Sequence, residues 1–325
     1  MQRIVRFGAA SMLIGVAVVS LAANPAPVSV PPAAPAQQPL PPNTPLGSGP
    51  FKAIIEQDPG LPDHTIYRPA DLRALGSRKL PIVAWGNGAC ADNGTAFRWF
   101  LSEIASYGFL VIANGPIGRD PFEFRLRGPL PRLAPDKLPP PATHTRELLD
   151  AINWAVAQNA RPESALHNRL APAEIAVMGQ SCGGVQAIEA DADPRIKTAV
   201  IWNSGLFPGS TTMAGGKTLT KADLAALHGA VAYISGDAED IAFVNANDDY
   251  GRLSRTALAV FRGWERGVTH GGTYSQSNGG EFGGVAVAWL LWQLKHDETA
   301  GSLFTGAHCG LCVNPRWVTS KRNIG

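Results

Sequence analysis

The sequence predicts an α/β protein, with a mostly parallel central sheet and helices on both faces. Short apolar runs rich in β-branched residues recur at 80–85, 109–113, 174–178, 198–202 and 230–235, each closing at a Gly or Asn, as buried strands do. Between them, segments 95–106, 143–158, 182–190 and 284–294 carry helical spacing. Strands alternating with helices give parallel strands covered on both sides, and in such sheets ligands bind at the carboxyl ends of the strands. Composition agrees: 45% of residues are apolar, 17% are charged, and 28 Lys+Arg against 26 Asp+Glu leave a net charge of +2. That balance excludes an acidic disordered chain and a basic nucleic-acid binder.

The chain opens with Arg3 and Arg6 ahead of an apolar run from Phe7 to Ala23 that closes on small residues. This reads as a secretory signal over 1–23, placing the mature protein outside the cell or in the periplasm. The alternative is an uncleaved anchor, since the run is close to the about 17 residues that can span a bilayer. No cysteine precedes Cys90, which excludes lipoprotein attachment at this signal. Residues 24–50 hold ten prolines and almost no charge, a composition that forms extended spacers and buries no core. Residues 51–325 then suffice for one α/β domain. A second proline-rich stretch, 128–141, interrupts that domain; neither strand nor helix survives such density, and a loop of this length is a candidate border for a binding site.

The run 174–178 leads directly into Gly179-Gln180-Ser181-Cys182-Gly183-Gly184 and a helical stretch. Strand, G-x-S-x-G, helix is the pattern of a nucleophile elbow. Its turn is so sharp that side chains two residues before and after the serine would collide, hence glycine at 179 and 183. A phosphate-cradling turn fits less well, because no P-loop lysine follows and the spacing is not G-x-G-x-x-G. A thiolate at Cys182 would also be activated beside a helix N-terminus, but centring the elbow there puts Gln180 where the crowded turn wants glycine.

A serine hydroxyl needs a histidine to take its proton and a carboxylate to fix that histidine's tautomer. Behind such an elbow the acid and then the histidine follow in chain order. The run 230–235 ends at Gly236-Asp237-Ala238-Glu239-Asp240. Asp240 is the preferred acid, with Glu239 and Asp237 in reserve, although three acids in one loop also describe a solvated turn. Of the late histidines, His296 closes the last long helix and His308 adjoins a cysteine pair. His270, in Val268-Thr269-His270-Gly271-Gly272, occupies the loop where a general base belongs. An oxyanion hole would use the N–H of Cys182 and one from Gly88 or Ala89, in the glycine-bearing loop after 80–85.

With these pieces in place the chain resembles the α/β-hydrolase superfamily, and within it the secreted branch related to dienelactone hydrolases, cutinases and polyester hydrolases. The resemblance runs from about Thr65 to the C-terminus. It rests on Ile66-Tyr67-Arg68-Pro69, Trp85-Gly86-Asn87-Gly88, Gly179 to Gly184, Asp240-Ile241-Ala242 and His270-Gly271-Gly272-Thr273-Tyr274. It implies a Ser-His-Asp hydrolase without cofactor, the acid falling on Asp240 and the base on His270; the sequence itself offers no metal-ligand constellation. Dienelactone hydrolases have a cysteine nucleophile where this chain has Ser181, which argues against transferring their substrate.

Export makes cysteine pairing the default. Cys309 and Cys312 lack further ligands for a metal and read as a local staple. Cys90 and Cys182 adjoin the two oxyanion loops, and a disulfide between them would lock the hole's geometry. Trp85, Trp202 and Tyr274 flank site-forming segments and are candidates to line an acyl pocket, with ordinary core packing as the alternative. The expected activity is that of an exported carboxylic-ester hydrolase acting on a small or polymeric ester. The alternatives are a cutin- or polyester-degrading enzyme and a non-catalytic envelope binding protein. No nucleic-acid partner and no stable membrane insertion after signal cleavage are expected.

Overall fold

The computed structural model describes residues 46–118, 141–212 and 217–325. The expected signal segment, most of the proline-rich spacer and all but the last residue of the 128–141 stretch lie outside these residues. Among the described residues nine strands form one sheet: β1 (Ala53–Asp58), β2 (Leu61–Pro69), β3 (Leu80–Gly86), β4 (Leu110–Asn114), β5 (Leu170–Gln180), β6 (Ile196–Trp202), β7 (Ala230–Gly236), β8 (Ala259–Glu265) and β9 (Trp317–Arg322). Their order is β1-β2-β4-β3-β5-β6-β7-β8-β9. The six strands from β4 to β8 run parallel, while the β1-β2 hairpin and β9 pair antiparallel at the two edges.

Alternation along the central strands builds a core on each face. In β3, Ile82 and Ala84 face one layer, and Val83 and Trp85 the other. Val177, Ile201 and Tyr233 continue the first face through β5, β6 and β7, and Met178, Trp202 and Ile234 the second. Helices α2 (Thr145–Ala160), α3 (Cys182–Ala190) and α4 (Phe243–Leu253) cover the first face, through residues such as Leu148, Ile152, Val185, Ile188 and Leu253. Helices α1 (Arg98–Ser106) and α5 (Gly280–Lys295) cover the second with Phe100, Leu101, Phe282, Trp289 and Leu290. Each large apolar side chain so buried stabilises the fold by about 1.5–3 kcal/mol. Short helices α6 (Glu298–Gly301) and α7 (Gly310–Val313) lead into β9.

The structure departs from the sequence expectation at the margins. The spacer expected through Pro50 already docks from Ser48, whose backbone N–H and hydroxyl each donate to the Glu103 carboxylate at 2.6 Å. The Gly49 N–H donates to Ser106 Oγ at 2.9 Å. Strand β8 holds Arg262 among apolar residues. Arg262 is buried there because Ser235 Oγ, the carbonyls of Tyr233 and Gly263, and Asn247 Oδ1 accept its N–H groups. Among the described residues no helix is long and apolar enough to cross a membrane.

Candidate active site

Strands β5, β6 and β7 end side by side, and each delivers one part of the site at its carboxyl end. Ser181 follows β5 with φ 54° and ψ −115°, a left-handed backbone that costs a non-glycine residue free energy and persists only where its surroundings enforce it. They do so here: the Ser181 N–H donates to the Trp202 carbonyl at 3.0 Å, and Ser204 Oγ donates to the Ser181 carbonyl at 2.6 Å. The serine is half-buried.

Ser181 Oγ lies 2.9 Å from His270 Nε2, and His270 Nδ1 lies 2.7 Å from Asp240 Oδ1. Because an ionised carboxylate only accepts, the proton belongs on Nδ1 and leaves Nε2 to accept from the serine. Asp240 is buried, and burial alone would raise its pKa. The hydrogen bond and charge of His270, the Ala242 N–H at 2.9 Å and the Asn203 amide at 2.7 Å outweigh that and hold the carboxyl below its ordinary value. Asp240 therefore stays a carboxylate.

The reserve acids do other work. Asp237 accepts the Gly267 and Glu239 N–H groups and pins the loop ahead of His270, while the Glu239 side chain is exposed. His296 and His308 are also exposed, at the end of α5 and beside the Cys309–Cys312 pair. The Gly236 N–H donates to Asp240 Oδ2 at 3.2 Å, and the Asp237 N–H to the Val268 carbonyl at 2.9 Å. Those bonds draw the acid loop and the histidine loop together.

The loop after β3 carries Gly88, buried, and Ala89, exposed with φ 54°. Its shape is set by Asn87, whose amide donates to the carbonyls of Ala91, Asn93 and Asn114 and accepts from Trp85 Nε1 at 3.0 Å. A disulfide joins Cys90 to Cys182 with Cα atoms 5.2 Å apart, tying this loop to the first residue of α3. Gln186, one turn further along α3, donates to Cys90 Sγ and to the Thr143 carbonyl. Thr143 and Ala142 in turn donate to the Cys90 carbonyl, so the chain leaving the proline-rich insertion abuts this loop. The Cys182 N–H opens α3, where the helix dipole favours developing negative charge.

The aromatic candidates fall elsewhere. Trp85 and Trp202 have no exposed surface and Tyr274 is 3% exposed. They pack with Phe97, Phe100 and Phe282 into one cluster of edge-to-face and tilted rings. All three are core residues, the packing alternative to an acyl-pocket lining. The amides that hold the loops, Asn87, Gln180, Gln186 and Asn203, carry no marked role in the sequence. In the sequence Asn203 stood only as the residue that ends a strand run, and Asn87 only as part of the Trp85-Gly86-Asn87-Gly88 segment.

Among the described residues no group of His, Cys, Asp and Glu could hold a metal ion. No protein-family model matches the chain, and no curated protein matches it. Fold and site together define the class: an α/β protein with a hydrogen-bonded serine, histidine and aspartate at the carboxyl edge of its sheet.

Proposed function

We propose that this protein is an exported serine hydrolase of the α/β-hydrolase type that cleaves carboxylic esters. The observation that carries the reading is the unbroken line from Ser181 Oγ through His270 to buried, ionised Asp240, at 2.9 and 2.7 Å. His270 Nε2 takes the serine proton as Oγ attacks the acyl carbon, and Asp240 stabilises the imidazolium that forms. The N–H of Cys182, with that of Gly88 or Ala89, receives the oxyanion. The imidazolium then protonates the leaving alcohol, and water, activated by the same imidazole, releases the acid from the acyl-enzyme. None of these steps calls for a cofactor.

Two disulfides support export to an oxidising compartment. Ser181→Ala tests the reading. The variant keeps the wild-type melting temperature and loses hydrolysis of p-nitrophenyl esters; equal turnover by the two proteins refutes it. Esters of graded chain length, run beside a polyester film, then order the substrates.

A further inference from the structure

Asp240 accepts more than the histidine proton, and the source of its second set of bonds leads away from the site. Oδ2 receives Asn203 Nδ2 at 2.7 Å. Because the carboxylate can only accept, the amide must turn its NH₂ toward Asp240 and its oxygen away. That oxygen meets the Tyr274 hydroxyl, which must therefore donate. Burial, with the charge of Asp240 adding to it, pushes the Tyr274 phenol well above its ordinary value, so the donor proton stays in place. The ring cannot swing, since Phe97 and Phe100 pack edge-on against it at 5.0 and 5.1 Å. Asn203 is equally fixed: its backbone sits at φ 41°, its N–H donates to the Ile234 carbonyl at 2.7 Å, and its amide also reaches the Thr269 carbonyl at 3.4 Å. Thr269 precedes His270, so one amide touches both the acid and the segment carrying the base.

We propose that Asn203 and Tyr274 are positioning residues, a two-member extension that acts through Asp240 to hold His270 in register with Ser181. Tyr274 sets the face that Asn203 presents, and Asn203 aims the carboxylate. Neither touches substrate. The proposal rests on the hydrolase reading for its kinetic consequence but not for its structural one.

Three variants test it: Tyr274→Phe, which removes one buried oxygen; Asn203→Gly, which keeps a residue suited to positive φ; and the two combined. Near-UV circular dichroism and melting curves establish that each is folded. With p-nitrophenyl acetate, Tyr274→Phe lowers kcat about tenfold and Asn203→Gly about a hundredfold, with KM within about twofold. The double variant is no slower than Asn203→Gly, because Tyr274 then has nothing to act through. The downfield proton resonance of His270 Nδ1–H moves or broadens in both single variants. Equal losses from Tyr274→Phe in both backgrounds, or an unmoved resonance, overturn the proposal. If the wild-type protein hydrolyses no ester, the hydrolase reading fails, and the resonance alone decides the positioning chain.

Discussion

A Cβ placed on Gly179 would stand 2.1 Å from the carbonyl oxygen of Gly183, and one placed on Gly183 would stand 2.0 Å from the carbonyl oxygen of Gly86. The two glycines flanking Ser181 thus serve different contacts: the first lets the elbow close on itself, the second lets it press against the end of β3. Both neighbours are backbone and cannot step aside. Gly179→Ala is expected to lower the free energy of unfolding by about 3 kcal/mol and to abolish ester turnover, measured by urea denaturation and p-nitrophenyl acetate hydrolysis. Wild-type stability in this variant would mean the turn is looser than described.

The two disulfides differ in reach. Cys90 and Cys182 are 92 residues apart, Cys309 and Cys312 only 3. Replacing Cys90 and Cys182 together by Ala is expected to cost about 2–4 kcal/mol in urea unfolding and to lower kcat, because the loop bearing Gly88 and Ala89 loses its tie to α3. Replacing Cys309 and Cys312 leaves kcat unchanged. Equal kinetic effects of the two double variants would contradict the assignment of the first disulfide to the site.

Burial of Trp202 in the aromatic cluster makes it a stability residue. Trp202→Ala is expected to cost about 3–5 kcal/mol, whereas Trp202→Phe lowers the melting temperature and leaves the ranking of esters by chain length as it was. A reordered ranking in Trp202→Phe would return this residue to the substrate pocket.

Stability should fall as pH rises from about 4 to about 8. Asp191 is fully buried, with Oδ1 unpartnered among the described residues. Burial raises its carboxyl to about 8 despite the His228 N–H bond at 2.9 Å. In that window the native state holds a proton that the unfolded chain has released. Stabilisation is therefore complete below the unfolded value and is lost as pH climbs through the folded one, by at most about 1.4 kcal/mol per pH unit for one group. Glu265, raised to about 7 by burial, acts in the same direction. Asp191→Asn flattens the dependence: urea midpoints at pH 5 and pH 8 lie closer together than in the wild type. An unchanged gap would assign the slope elsewhere.

Ser181, Asp240 and His270 were legible because each sits in a local pattern, an elbow between glycines, an acid after a strand, a histidine before paired glycines, and chain order does the rest. The buried central strands were legible for the same reason, since covering on both faces makes them continuous apolar runs. The hairpin β1-β2 and edge strand β9 were not, as strands covered less completely carry polar residues such as Glu56, Asp63 and Lys321. Helix α4 is not marked in the sequence because Asn, Asp and Arg interrupt its apolar residues and only Ala246, Asp249 and Leu253 are buried. The supporting amides were illegible for a different reason. Asn203 and Asn87 reach partners far along the chain, from Asp240 to Asn114, and nothing in the residues beside them marks that bond.

Reaction with a fluorophosphonate probe, followed by peptide mapping, reads the nucleophile itself. Stoichiometric labelling of the folded protein is expected, with the phosphonyl group on the peptide that contains Ser181 and no labelling of Ser181→Ala. Absence of label on the folded wild-type protein, or a label on any other residue, would contradict the assignment of Ser181.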